Sequence, residues 1–495
     1  MNAPIRLSQL LDGIAPVVRD VALTDLALDS REVRAGGAFL ACRGARRHGL
    51  EFLREVIDRG AAAVLWEPEG AQVKLQPDER VVMTAVPQLA ARASLIADRF
   101  FASPSRDLDV IGVTGTNGKT TCAWLLAQAL TACGRAAAYL GTLGAGFGGT
   151  LVAGELTTPD AVTVQRRLAA FRDLGARAVA MEVSSHSLAQ QRVAAVQFRA
   201  TVFTNLTRDH LDFHGDMQRY GAAKASLFER EDVRLRVFNI DDPFGAQLAA
   251  RPAYRDRISC SRRGARAGQR RYVNAAAMRF SRDGMQFTLD SSFGSAEVRA
   301  PLVGAFNVDN LLAVLAVLLG SDVPLQQAVD AVAQLAAPAG RLESFCAAGR
   351  PLAVVDYAHT PDALEQVLLA LRQHCAGRLI CVFGCGGDRD RGKRPQMGAV
   401  AARAADQVIL TDDNPRTEDP RVIVADIAAG MPAGSATVVH DRRTAILQAV
   451  AMAGPQDVVL VAGKGHETCQ IVGGERLPFS DQRVVREALA AGAAS

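Results

Sequence analysis

Short apolar runs separated by polar turns recur along the whole chain. Over residues 1–104 the runs Ala38-Phe39-Leu40-Ala41-Cys42 and Ala62-Ala63-Val64-Leu65-Trp66 alternate with helical stretches, the pattern of a small α/β unit. The segment Ala102-Ser103-Pro104-Ser105-Arg106 breaks that pattern and ends the unit. A second α/β region opens with an expected strand at 108–113, continues through strands at 178–181 and 200–203, and closes with an apolar helix at 310–319. Its crossovers predict a mostly parallel sheet. Ala336-Ala337-Pro338-Ala339-Gly340 is small and helix-breaking, and reads as a second linker. Beyond it, runs at 352–356, 379–383, 407–410 and 458–461 alternate with helices, which predicts a doubly wound C-terminal domain. The expected fold class is therefore α/β in three domains, 1–104, 105–336 and 337–495.

Composition adds limits. At 495 residues the chain exceeds what one hydrophobic core usually serves. The 56 basic and 52 acidic residues, net +4, are too evenly balanced to suggest a nucleic-acid or membrane surface. Nine scattered cysteines form no CxxC pair and read as reduced thiols of a cytoplasmic protein. Met1-Asn2-Ala3-Pro4-Ile5-Arg6 lacks the charged start, apolar stretch and cleavage site expected of a signal peptide, and the longest apolar run, Leu311 to Leu319, is too short to span a bilayer. Neither membrane insertion nor nucleic-acid binding is expected, and the chain is expected to act as a monomer.

The chemistry enters after the strand at 108–113. Gly115-Thr116-Asn117-Gly118-Lys119-Thr120-Thr121 leads into an apolar helix at 122–130, the strand-loop-helix context of a phosphate loop. Glycines let backbone N–H groups wrap phosphates, the helix start adds positive potential, Lys119 meets the β/γ oxygens and Thr120 ligates Mg²⁺. The general pattern places its first glycine at 113, where this chain has valine, with Gly112 one position early. Glu182, at the end of the strand 178–181, reads as the acid completing a magnesium site or as a capping acid at a strand-to-helix junction. His210 and His214 have the spacing of a metal pair, but Gly215 argues against a regular helix, and a solvated polar loop is the plainer reading. By spacing alone, Lys224 is a surface charge.

The ordered set Leu28-Asp29-Ser30-Arg31, Thr114 to Thr121, Thr157-Thr158-Pro159, Met181-Glu182-Val183-Ser184-Ser185-His186, Asp209-His210, Gly340-Arg341-Leu342-Glu343, Asp356-Tyr357-Ala358-His359-Thr360, Asp413-Asn414-Pro415-Arg416 and Gly463-Lys464-Gly465-His466-Glu467 resembles the Mur ligases of peptidoglycan synthesis in their diaminopimelate-adding form. The resemblance spans nearly the whole chain. It implies an N-terminal UDP-binding domain, a central ATP-binding domain and a Rossmann-like C-terminal domain for the incoming amino acid. The implied reaction joins meso-diaminopimelate to UDP-MurNAc-L-Ala-D-Glu, with ATP as co-substrate and an acyl phosphate between.

The resemblance also assigns residues. It implies that ATP meets Gly115 to Thr121 together with Asn307 or Asn310, Arg341 and Asp356. One Mg²⁺ would rest on Thr120 and Glu182, and a second near His210 and Lys224 as its carbamate. The UDP-MurNAc-dipeptide would meet Leu28, Ser30, Thr157, Thr158, Ser184, Gln190 and Arg192. The stretch Ala45, Arg46 and Arg47 would also touch UDP, although relatives commonly have His-Gln where this chain has Ala45-Arg46. Diaminopimelate would meet Arg389, Asp413, Asn414, Pro415, Arg416, Gly463 and Glu467. Arg416 is the discriminating residue, because a guanidinium fork suits the distal carboxylate that lysine lacks. Without the resemblance, Ser30 and Asp413 to Arg416 read as turns, Thr157-Thr158-Pro159 as a helix start and Arg341 as a solvated linker residue. Folylpolyglutamate synthase or a lysine-adding muramyl ligase would share the phosphate loop but not Asp413-Asn414-Pro415-Arg416, and a P-loop motor or regulatory ATPase would need no amino acid.

Overall fold

The computed structural model describes residues 4–44, 47–71, 78–254, 256–264 and 270–491. The chain divides into two compact units, Met1–Ser259 and Cys260–Ser495.

The first unit contains two parallel arrangements. Leu26–Ala27, Ala38–Ala41, Ala63–Trp66 and Val82–Ala85 pair in that order, all parallel. Parallel strands of this kind are covered on both faces, and the residues alternate accordingly. Leu40 and Leu65 meet Leu89, Ile96 and Ala97 of the helix Leu89–Phe100, while Phe39 and Val64 meet Leu50, Val56 and Ile57. Because the strands run one way, the loops carrying Leu28 to Ser30 and Arg47 leave the sheet at the same, carboxyl, edge.

The second sheet of this unit runs Thr150–Val152, Gly144–Phe147, Ala137–Gly141, Ala178–Glu182, Asp109–Thr114, Ala200–Phe203, Leu235–Asn239. The strands from Ala137–Gly141 onward are parallel, and the first two form an antiparallel hairpin at the edge. The helix Lys119–Ala132 buries Cys122, Leu125, Leu126 and Ala129 against three of the parallel strands. Val110, Leu140, Val179 and Met181 face the other way, onto Val164, Leu168 and Phe171 of the helix Ala161–Asp173.

The second unit opens with an antiparallel meander, Tyr272–Ser281, Gly284–Ser291 and Gly294–Ala300, which the hydrophobic pattern did not predict. The helices Phe306–Gly320 and Leu325–Val332 pack on it. A six-stranded sheet follows, in the order Glu343–Phe345, Leu352–Asp356, Val458–Ala462, Leu379–Phe383, Gln407–Leu410, Ala436–Val438. Only its first strand is antiparallel. Val354, Cys381, Phe383 and Leu460 pack on Leu364, Leu368 and Met397; Val355, Ile380, Val382 and Val461 pack on Ile446, Val450, Val484 and Val485. That is the doubly wound arrangement expected, and its strands deliver Asp356, Phe383, Leu410 and Ala462 to one carboxyl edge, where such sheets hold ligands.

Candidate functional site

The phosphate loop is the turn between Asp109–Thr114 and Lys119–Ala132. The polar segment after Ala200–Phe203 braces it: Thr116 N donates to Asn205 O at 2.9 Å and Asn117 N to Asn205 Oδ1 at 2.9 Å, while Thr204 Oγ1 donates to Asn117 O at 2.6 Å. Lys119 Nζ donates to Gly115 O at 3.0 Å and Thr116 O at 2.8 Å. Gly115 is required by proximity, since a Cβ there would lie 1.9 Å from Thr204 Oγ1. Gly112 has a different purpose: a Cβ would lie 2.8 Å from the Phe198 ring, so this glycine serves packing beneath the loop.

Glu182 is fully buried where the parallel strand ends, and its carboxylate gathers four donors. Thr120 Oγ1 lies at 2.9 Å, Tyr139 OH at 2.6 Å, Thr142 N at 2.8 Å and Thr142 Oγ1 at 3.1 Å. The capping reading fails, because Ser184 caps the following helix by accepting from Ser187 N. Gly141 clears space for this carboxylate, since a Cβ there would sit 2.2 Å from Glu182 Oε1. Gly141, Tyr139 and Thr142 were missed by sequence reasoning. The signal was faint: a glycine and a hydroxyl on the strand neighbouring Ala178–Glu182.

Lys224 corrects its spacing-based reading as a surface charge. It lies in the helix Met217–Ala225 at 1% exposure, its Nζ donating to Gly115 O at 2.7 Å, over the Tyr220 ring. Burial, with Lys119 adding repulsion, pushes its ammonium down to about 6. Tyr220 OH in turn meets Thr116 Oγ1 at 3.1 Å. His210 and His214 do not act as a pair. His210 is exposed, with φ 52, and starts the single turn Leu211–His214, which stops at Gly215. His214 is buried, and its Nε2 lies 2.9 Å from Ser185 Oγ. His186 meets His210 edge-to-face at 4.8 Å between ring centres and the Phe213 ring at a tilt at 4.2 Å. Among the described residues, no group of three or more His, Cys, Asp or Glu side chains is placed to hold a metal.

Beside Glu182, the structure gathers the residues expected to meet the muramoyl-dipeptide. Thr158 Oγ1 donates to Glu182 O at 2.8 Å and accepts from Ser184 N at 3.0 Å; Thr142 Oγ1 lies 3.1 Å from Thr157 Oγ1. Arg192 Nη1 donates to Thr158 O at 2.8 Å and its Nε to Gln190 Oε1 at 2.9 Å. Burial lowers the Arg192 guanidinium below its ordinary range. The helix after Thr157-Thr158-Pro159 starts at Ala161, capped by Asp160. At the other parallel sheet, Leu28 is half-buried, Ser30 donates to Glu55 at 3.2 Å, and Arg47 pairs with Glu51 at 2.7 Å. Ala45 and Arg46 lie outside the described residues.

In the second unit, Asn307 and Asn310 are buried and bonded to each other at 2.8 Å, with Asn307 Nδ2 also donating to Val303 O. Asp356 accepts from Leu342 N and Ala358 N, each at 2.8 Å, and burial raises its carboxyl. Arg341 lies over the Tyr357 ring at 5.0 Å rather than free in solvent.

Several of the residues expected to meet the amino acid lie together at the carboxyl edge of the six-stranded sheet. Asn414 Nδ2 donates to Glu467 Oε2 at 2.8 Å, and the buried Lys464 joins both, donating to Asn414 Oδ1 and Glu467 Oε2 at 2.9 Å. Burial would raise the Glu467 carboxyl, but these bonds outweigh it and hold it below its ordinary range. Burial raises the Asp413 carboxyl, whose Oδ2 has no hydrogen-bond partner and faces Gly463, where a Cβ would lie 2.6 Å away. Arg416, with φ 54, is fixed by Arg416 N to Ile471 O at 3.0 Å, Gly473 N to Arg416 O at 2.8 Å, and its Nη1 to Gly387 O at 2.6 Å. Pro415 packs its carbonyl against Gly387, and Arg389 stands exposed in the loop after Leu379–Phe383. Lys464, missed from the sequence, sits inside a quoted motif and carried no signal of its own burial.

Comparison with known proteins agrees along the chain. Family models match at residues 23–100 (Mur ligase family, catalytic domain), 113–318 (Mur ligase middle domain) and 340–465 (Mur ligase, glutamate ligase domain). A UDP-N-acetylmuramoyl-L-alanyl-D-glutamate--2,6-diaminopimelate ligase of Ectopseudomonas mendocina is 50% identical over 489 residues, covering 99% of both chains. One of Xanthomonas campestris pv. campestris is 51% identical over 492 residues, covering 99% of this chain and 98% of its own. A solved structure of a ligase with the same name superposes with a TM-score of 0.75 at 35% identity, covering 99% of this chain and 100% of the other. The MurF ligase of Thermotoga maritima in complex with ADP shares the fold at 18% identity and a TM-score of 0.62, covering 94% of this chain and 98% of its own.

Proposed function

The chain belongs to the Mur ligase family, and from that premise we propose that it joins meso-diaminopimelate to the D-glutamyl residue of UDP-MurNAc-L-Ala-D-Glu in an ATP-dependent, ADP-forming reaction. The observation that carries the proposal is Arg416, locked at the carboxyl edge of the C-terminal sheet beside Asn414 and Glu467, in a chain half identical to ligases named for diaminopimelate. Residues 1–104 are assigned to UDP, 105–336 to ATP and 337–495 to the amino acid. The reaction belongs to the cytoplasm, where its nucleotide substrates are; among the described residues no helix is long and apolar enough to cross a membrane.

A carboxylate is a poor acyl donor until its oxygen becomes part of a leaving group. In the first step the bond between the γ-phosphorus and ADP breaks and one to the glutamyl side-chain oxygen forms, giving an acyl phosphate. Lys119 and the loop N–H groups offset the repulsion between the two anions. In the second step an amine nitrogen of diaminopimelate attacks the acyl carbon, phosphate leaves with the C–O bond, and the amine gives up a proton. Arg192, short of a carboxylate partner beside Thr158, suits an anionic substrate group. Arg389 and Arg416 hold the distal carboxylate, and Glu467 an ammonium.

The donor set fits Mg²⁺, a hard cation that takes oxygen ligands and keeps several waters. Thr120 and Glu182 converge through oxygens 2.9 Å apart. Thr120 and Glu182 would hold one ion, and His210 with carbamylated Lys224 a second; bound there, magnesium neutralises phosphate charge. A buried amine that is neutral near pH 7 can attack CO₂, forming an N–C bond and losing a proton, and becomes an anionic oxygen ligand.

The test is ADP release from the purified chain. ADP should form only when both UDP-MurNAc-L-Ala-D-Glu and meso-diaminopimelate are present, with L-lysine and L-ornithine as poor replacements. Full-rate ATP hydrolysis without either acceptor would overturn the reading.

A further inference from the structure

Arg394 is a charged side chain with no exposure at all, at the start of the helix Lys393–Ala404. A buried guanidinium costs several kcal/mol unless its donors are matched, and breaking such a pair is costly even where replacing it entirely is not. Here Nη1 donates to Glu418 Oε2 at 3.0 Å and Asp426 Oδ2 at 2.9 Å, and Nη2 to Glu418 Oε1 at 2.9 Å and Gly386 O at 3.4 Å. Neither Arg394 nor Glu418 belongs to any motif quoted for substrate binding.

What they join is informative. Glu418 follows the turn Asp413-Asn414-Pro415-Arg416, and its Oε1 also accepts from Asp388 N at 2.6 Å, in the loop that carries Arg389. Asp388 returns the tie, its carboxylate accepting from Thr417 Oγ1 at 2.7 Å and Thr417 N at 3.2 Å. Gly387 N donates to Asn414 O at 2.9 Å, and Arg416 Nη1 donates to Gly387 O at 2.6 Å. The two loops approach so closely that a Cβ on Gly387 would lie 1.9 Å from Pro415 O. The loop bearing one proposed carboxylate-binding guanidinium is thus bolted to the turn bearing the other, and the bolt is anchored on a buried ion pair.

We propose that Arg394 and Glu418 are positioning residues of the amino-acid pocket, fixing the separation of Arg389 and Arg416 so that both reach one carboxylate, without touching substrate themselves. The inference rests on the diaminopimelate reading above. Carboxylate recognition by two guanidiniums depends on spacing, because a misplaced fork loses its paired geometry while keeping its charge. Arg391, exposed and in the same loop as Arg389, pairs with Glu418 at 3.0 Å and adds a solvent-facing tie between that loop and the turn.

The test compares the wild type with Thr417→Val, Glu418→Gln, and the double variant Arg394→Met with Glu418→Met, which removes the buried pair as a unit. The expected result is a rise in KM for diaminopimelate of tenfold or more in the double variant and threefold or more in Thr417→Val. Both kcat at saturating diaminopimelate and KM for ATP should stay within twofold, and the kcat/KM preference for diaminopimelate over lysine should fall. A diaminopimelate KM unchanged within twofold would overturn the proposal. So would a parallel fall in kcat and rise in KM for ATP, the mark of a merely structural pair. Should the double variant not fold, Thr417→Val and Glu418→Gln decide the matter. Failure of the ligase reading would appear separately, as a wild type whose ADP release ignores diaminopimelate.

Discussion

Arg416 holds a left-handed backbone conformation that costs a non-glycine residue about 1–2 kcal/mol, and two backbone bonds to the segment after Cys469 hold it there. Its side chain spends a donor on Gly387 O, so its aim is set before substrate arrives. Arg416→Lys keeps the charge but loses the fork, and should raise KM for diaminopimelate at least tenfold while leaving KM for ATP unchanged. Steady-state kinetics with each substrate varied checks this. Lys224 makes a different case. If its carbamate is the ligand, Lys224→Ala should lose most of kcat, and millimolar acetate should restore part of it; rescue absent at every acetate concentration would argue against the carbamate. Its proposed role came only from the resemblance. A lysine reads as surface by default; Tyr220 lies one helical turn away, but nothing near Lys224 announces that the distant Gly115 O accepts its ammonium.

At the scale of elements, the apolar runs were sufficient wherever strands are covered on both faces, as at Leu352–Asp356, Leu379–Phe383 and Gln407–Leu410. They failed for the meander at 272–300, whose strands mix charged and small residues on an exposed face and so resemble polar loops. The glycines sort by element as well. Gly112 sits inside a strand against Phe198, whereas Gly115 sits in the loop against Thr204. Gly112→Ala should destabilise the fold by about 1–3 kcal/mol through overpacking, with kcat largely kept at low temperature. Gly115→Ala should destabilise the fold too, since its Cβ would meet Thr204 Oγ1 at 1.9 Å on a positive-φ backbone, and should in addition raise KM for ATP. Thermal unfolding and ATP kinetics on the same two proteins separate the effects, and an ATP KM equal to wild type in Gly115→Ala would remove that glycine from the loop's function. Gly141 was illegible for a plain reason: its partner, Glu182, is distant in sequence and adjacent only once the parallel strands pair.

Across the whole molecule, acid should act through two opposed sets of carboxylates. Asp406 is held low by Arg372; for Asp457 the bonds from Arg378 and Gly454 outweigh burial; Arg394 holds Glu418 at about 2. A carboxylate with a depressed folded value adds stability that is present above its unfolded range and lost as pH falls toward the folded one. Asp356 and Asp413, raised by burial, have the opposite sign: their cost grows as pH rises through the unfolded range and is relieved in acid. The depressed set is the larger, so the melting temperature should be flat from pH 7 to about 5 and fall between about pH 4.5 and 2. A melting temperature that rises on acidification through that window would show the buried aspartates to dominate.

The bolt between the Arg389 loop and the Arg416 turn also bears on redesign. Attempts to convert such a ligase to lysine by exchanging Arg416 alone would leave Arg394, Glu418 and Asp388 holding two loops at a spacing made for a carboxylate. A lysine-selective pocket would then have to be transplanted as a unit, loop and turn together with their buried anchor, and inhibitors that bridge the two guanidiniums would meet a target with little freedom to adjust.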